Sequence, residues 1–112
     1  MPEAYKILGQ LAPSDTAENV LYTSPANTQT IVNNIVVANR SASAQTFDIS
    51  IYNSIVSNGT TSPALNNLYK NATIAANSFQ ILEPGVILNP QNSIVIKGNS
   101  SLTFSSYGVE IS

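Results

Sequence analysis

The side chains able to do chemistry in this chain are six carboxylates, Glu3, Asp15, Glu18, Asp48, Glu83 and Glu110, and four cations, Lys6, Arg40, Lys70 and Lys97. Two carboxylates held about 5 to 10 Å apart in a cleft would suit glycoside hydrolysis. These six are scattered along 112 residues, and no spacing pairs them. Asp15, Glu18 and Asn19 offer oxygens for calcium, but their spacing matches no calcium loop, and an acid three residues after Asp15 equally describes a helix cap. The chain has no histidine and no cysteine. That removes the Ser-His nucleophile, thiol chemistry, disulfides and the usual nitrogen and sulfur ligands of zinc. Gly9, Gly59, Gly85, Gly98 and Gly108 are too far apart to cradle a phosphate. A protein without catalytic activity, cofactor or metal is expected.

The remaining candidates are groups that touch rather than react. Of five tyrosines, Tyr52 lies opposite the apolar phase of its strand, which exposes its ring as an interface anchor, a stacking platform for a sugar, or a side chain lying flat on an outer sheet face. Residues 57–67 form the longest stretch without an apolar period, and Asn58-Gly59 with Thr60 and Thr61 marks a polar tip suited to touching a neighbour. Residues 1–4, with Pro2, Glu3 and Ala4, read as an arm that becomes ordered across a partner. These eight residues are the candidate contacts.

Charge sets limits on partners. Only 9% of residues are charged, against about a quarter in an ordinary domain, and the net charge is -2. The four cations are far apart in sequence, so nucleic-acid binding by counterion release is not expected. No apolar run approaches the roughly 20 residues of a membrane span, and no secretory leader is expected from the first residues. A surface so poor in charge repels its neighbours weakly, which suits life in an assembly.

The elements that must position these groups are strands. Apolar alternation bounded by turn residues recurs about every 8 to 15 residues, with no sustained helical period. The spacing predicts eight or nine strands over 5–11, 21–23, 29–38, 46–55, 67–73, 78–82, 86–88, 93–97 and 102–111. The Asp15 cap would start a single helical turn. In 46–55, Phe47, Ile49 and Ile51 face one way while Thr46, Asp48, Ser50 and Tyr52 face the other. The period changes phase at Asn33-Asn34 and again at Ser105-Ser106, and a bulge at each would restore one inward face. The expected fold is all-β: a single antiparallel sandwich over 5–112, either jelly-roll or immunoglobulin-like.

Several segments have a familiar order: Tyr5-Lys6-Ile7-Leu8-Gly9-Gln10-Leu11-Ala12-Pro13, then Leu21-Tyr22-Thr23-Ser24-Pro25-Ala26, Ile35-Val36-Val37-Ala38-Asn39-Arg40, Ala72-Thr73-Ile74-Ala75-Ala76-Asn77 and Ser106-Tyr107-Gly108-Val109-Glu110-Ile111. Together they resemble a family of small virion structural proteins of tailed bacteriophages, especially those of cyanobacteria and marine bacteria. The resemblance covers residues 5 to 111 and departs from the family pattern over 53–70. It implies a non-enzymatic particle component, made in the host cytoplasm and built into the virion in many copies. The expected role is a capsid-associated decoration or cement protein that bridges major capsid subunits or neighbouring virion proteins, as a homo-oligomer. The alternative is a neck, tail or fibre accessory module that binds host-surface glycan.

Overall fold

The computed structural model describes residues 3–13, 18–55 and 67–111. They form nine strands: β1 (Glu3–Leu11), β2 (Glu18–Thr23), β3 (Gln29–Asn39), β4 (Gln45–Tyr52), β5 (Asn67–Ile74), β6 (Phe79–Leu82), β7 (Val86–Leu88), β8 (Ser93–Lys97) and β9 (Leu102–Ile111). Among the described residues there is no helix. Asp15, Thr16 and Ala17 of the expected capped turn lie outside the described residues, and Glu18 opens a strand.

Two antiparallel sheets face each other. One runs β1-β9-β3-β6, with β7 also paired to β3; the other runs β2-β8-β4-β5. β6 and β7 share one position along the edge of β3, so the pairing is nested: first strand with last, second with second-last, and so inward to β4 with β5. One long hairpin wrapped over itself produces that nesting, which is the jelly-roll arrangement. The wrapping persists around the corners. Residues 24 and 91–92 exchange backbone bonds, Ser24 N to Asn92 O at 2.9 Å and Gln91 N to Ser24 O at 2.8 Å. At the other end Asn39 N meets Ser78 O at 2.8 Å and Asn77 N meets Ser41 O at 3.0 Å. Asn27, Asn77 and Gln91 take positive φ at these turns. Asparagine tolerates that region because its short polar side chain bonds locally.

The core is the aliphatic alternation closing on itself. Val32, Ile35 and Val37 of β3, Leu102 and Phe104 of β9, Phe47 and Ile49 of β4, and Ile94 and Ile96 of β8 are all buried between the sheets. The bulge expected at Asn33-Asn34 is present: the pairing of β3 with β9 shifts between Val32 and Asn34, and the buried set resumes at Ile35. The slip expected at Ser105-Ser106 is absent. β9 alternates without interruption, with Leu102, Phe104, Ser106 and Gly108 buried, and the irregularities fall in its partners β1 and β3 instead. Small residues account for this. Ser106 and Gly108 take inward places that the apolar pattern does not mark, so the pattern misreads their phase.

Gly9 sets how closely the two sheets approach. A Cβ there would lie 2.3 Å from the carbonyl oxygen of Leu21 on β2, so only glycine lets β1 close that side of the sandwich. The adjoining end of the interior is polar. Tyr22 hydroxyl and Ser24 Oγ each bond Thr30 Oγ1, at 2.9 and 2.8 Å, and Ser24 Oγ donates to Thr28 O at 2.7 Å. Tyr22 hydroxyl also donates to Glu110, which pairs with Lys6 Nζ at 2.6 Å.

Candidate interaction surface

The residues chosen from the sequence as contacts fare unevenly. Pro2, Asn58, Gly59, Thr60 and Thr61 lie outside the described residues. Glu3 and Ala4 belong to β1, paired with Ile111 and Glu110, so the first strand starts two residues earlier than its apolar pattern suggests. Tyr52 is a correction: it is buried, at 8% exposure, not displayed. Its strand parity is the predicted one, beside Ser93 on the outer side of the four-stranded sheet. On that side the segment after β4 meets β8. Ser93 Oγ donates to Ser54 O at 2.9 Å and bonds Thr23 Oγ1 at 3.0 Å. The Tyr52 hydroxyl is buried with no hydrogen-bond partner among the described residues. An orphaned buried hydroxyl carries a desolvation penalty with no return. Tyr52→Phe is therefore expected to leave stability unchanged or raise it by up to about 1 kcal/mol in urea unfolding. A clear loss would show that the hydroxyl is satisfied.

The charged groups are mostly used in pairs. Asp48 accepts from Lys70 Nζ at 3.0 Å and from Asn71 N at 2.7 Å. In register across the same sheet stand Glu18, Lys97 and Asp48, an alternation of sign that supports cross-strand pairing. A cleft of about 230 Å³ opens beside it, lined by Gln45, Lys70, Asn71, Lys97 and Asn99. Among the described residues no three acids come together to hold a metal ion.

The feature that sequence reading missed is the outer face of the five-stranded sheet. Phe79 (64% exposed), Ile87 (59%), Ile81 (56%) and Ile7 (52%) are large apolar side chains open to solvent. The register places them on one surface. Ile87, Ile31 and Val109 form one cross-strand row; Ile81 with Val36 and Phe79 with Ala38 form two more, and Ile7 lies beside Tyr107. Isolated exposed apolar residues are normal, but a contiguous set is the mark of a contact surface. The signal in the sequence was the unbroken runs Ile31-Val32, Ile35-Val36-Val37 and Val86-Ile87-Leu88. A strand apolar at both parities has a second face to cover.

A polar notch interrupts this face. Between β6 and β7, residues 83–85 pass the bulge of β3, and Gly85 turns there with φ of 61°. The result is an open groove of about 500 Å³ lined by Asn33, Asn34, Glu83, Gly85 and Tyr107. It lies where the bulge of β3 falls between the stretch paired with β7 and the stretch paired with β6. Ile81 and Ile87 lie in the two strands that flank it.

Comparison with protein-family models, with curated proteins and with solved structures finds no match.

Proposed function

We propose that this chain is a non-enzymatic structural subunit of a bacteriophage particle, a capsid-associated decoration or cement protein that docks through the outer face of its five-stranded sheet. The observation that carries the reading is the set of exposed large apolar residues on that face, Ile7, Phe79, Ile81 and Ile87. The resemblance of the ordered sequence motifs to small virion structural proteins points the same way. Jelly rolls serve both capsid and lectin roles, so the fold alone favours neither. The glycan-binding alternative drew on Tyr52 as a stacking platform and on the polar stretch 57–67; the Tyr52 ring is buried, and 57–66 lie outside the described residues. Many modest contacts repeated over a shell would add stability without one tight site.

Mass spectrometry of separated heads and tails tests the location; recovery with tails alone overturns it. The double substitution Ile81→Asp with Ile87→Asp tests the surface. Each isoleucine is already more than half exposed, so folding should persist with a cooperative urea transition. Occupancy on particles should fall about tenfold or more, because two charges would have to be desolvated on docking. Salt at about 1 M should not strip the wild-type chain, since apolar contacts are not screened. Release by salt alone would contradict the proposal.

A further inference from the structure

β6 is an edge strand: it pairs with β3 on one side, and no strand lies beyond it among the described residues. One bond fixes which of its backbone groups are free. Asn39 N donates to Ser78 O at 2.8 Å, so these two residues form a hydrogen-bonded pair of the antiparallel ladder. Such pairs alternate, so Gln80 and Leu82 bond to Val37 and Ile35. The N–H and C=O of Phe79 and Ile81 therefore point away from β3, to the open edge. Among the described residues nothing meets them.

A bare edge is a template for another strand, and the other sheet edges are blunted. β1 carries Lys6 and a register shift at Ile7/Gly9, β2 carries Glu18 and a shift at Val20/Tyr22, and β5 carries Lys70 and pairs with two shifts. β6 has no charge, no proline and an unbroken register. It is also complementary to itself. Two copies laid antiparallel about a two-fold axis at Gln80 set Phe79 of each opposite Ile81 of the other. Each of these two pairs exchanges two backbone bonds, which satisfies all four free groups on each copy. The same register packs two exposed apolar side chains, Phe79 and Ile81, against each other twice. Charge does not oppose it, since the two Glu83 residues would stand about 20 Å apart along the strands, beyond the screening length. A slide of two residues would instead set Glu83 opposite Phe79.

We infer that a second copy of this chain pairs along β6, antiparallel about Gln80, and joins two five-stranded sheets into one. The inference is independent of the docking reading, because it uses the rim of the sheet rather than its outer face. Four backbone bonds and two Phe–Ile pairs make a small contact, so a dissociation constant on the order of 10–100 μM is expected.

Sedimentation of the full chain between about 1 μM and 1 mM should show monomer passing to dimer. Ile81→Pro removes an N–H that β3 does not use, so the variant should fold and stay monomeric throughout. Engineered thiols read the register, since the chain has no cysteine of its own. At the axis Gln80 meets its own copy as a non-hydrogen-bonded pair, with Cα atoms about 4.5 Å apart and within disulfide range. Under mild oxidation Gln80→Cys should form a linked dimer about tenfold or more faster than Ile87→Cys, an exposed position on β7 outside the contact. The thiol comparison decides the matter even where Ile81→Pro fails to fold. A chain that stays monomeric at the highest concentration would leave the edge to a strand of another protein and overturn the inference. So would a folded Ile81→Pro variant that still dimerises, or a Gln80→Cys variant that links no faster than Ile87→Cys.

Discussion

Phe104→Ala is expected to lower the unfolding free energy by about 3–5 kcal/mol, the largest loss among single side-chain truncations proposed for this protein. Phe104 is fully buried at an inward place on β9, the strand between β1 and β3. Its ring meets Phe47 of the opposite sheet edge-on, with centroids 6.1 Å apart at 74°. Phe47 in turn lies 6.4 Å from Tyr69 on β5. Truncation would remove one of the contacts between the sheets and leave a cavity whose walls are paired strands. Such walls cannot collapse inward without breaking ladder bonds, which places the loss toward the upper part of the range. A domain of this size has about 5–15 kcal/mol in total, so the variant would approach the limit of folding. Urea unfolding should show a lower midpoint with an unchanged slope. Phe79→Ala is the internal control. That ring is 64% exposed on the outer face, and its loss should move stability by no more than about 0.5 kcal/mol. Equal losses at the two positions would mean that the inner and outer faces are wrongly assigned.

The contrast between these two phenylalanines shows what could be read from the sequence. Alternation reports which residues share a face, and it does so correctly here. Phe47, Ile49 and Ile51 are together, as are Phe79 and Ile81, and Ile94 with Ile96. Alternation does not report which face is inward. In β4 the polar residues of the other parity settle the matter, since Asp48 and Ser50 make poor core. In β6 the residues of the other parity are Gln80 and Leu82, and they settle nothing. Leu82 packs against the core, Gln80 reaches Thr73 O at 3.2 Å, and the two larger apolar residues point to solvent. Only the pairing of Val36 with Ile81 and Ala38 with Phe79 decides it. The exposed apolar face was therefore visible as an excess of apolar residues but not as a surface.

Tyr52 shows the opposite limit. Its parity was legible and its burial was not, because burial of an outer-face residue depends on tertiary contacts that leave no local period. The bulge at Asn33-Asn34 was legible since it breaks the period within its own strand. The bulges beside β9 displaced nothing in β9, so a phase change inferred there from Tyr107, Val109 and Ile111 had another cause: these residues simply face outward. The notch combines both limits. Asn33 and Asn34 mark the bulge, but nothing along the chain says that Glu83 will stand beside it.

The polar end of the interior should make stability depend on pH at the alkaline side, by up to about 2 kcal/mol once solvent screening is allowed for. Tyr22 is pushed up from 10.0 to about 12, chiefly because burial disfavours its phenolate, then because its hydroxyl bonds to Glu110 and feels that carboxylate's charge. Bonds to Thr30 and Ser24 offset part of this. Its folded value is above its unfolded one, so the folded chain holds the proton more tightly. The associated stability is complete below about pH 10 and is lost as pH rises toward 12. Glu110 behaves oppositely. Burial pushes its carboxyl up, but the hydrogen bonds from Lys6 and Tyr22 and the Lys6 charge outweigh that and hold it below the usual range. Its contribution is present above the ordinary carboxylate range and fades as pH falls through its depressed value. Lys6 is about half exposed, so the acid limb should be the shallower. Urea unfolding from pH 7 to 12 measures the alkaline limb directly. Tyr22→Phe separates this hydroxyl from other groups that titrate there. At pH 7 the variant should lose about 1–3 kcal/mol, since Thr30 and Glu110 lose a partner in a buried setting. Between pH 10 and 12 it should lose little more, and the two curves should converge. If the variant keeps the full alkaline loss, Tyr22 is not the group whose proton holds that end of the sandwich closed.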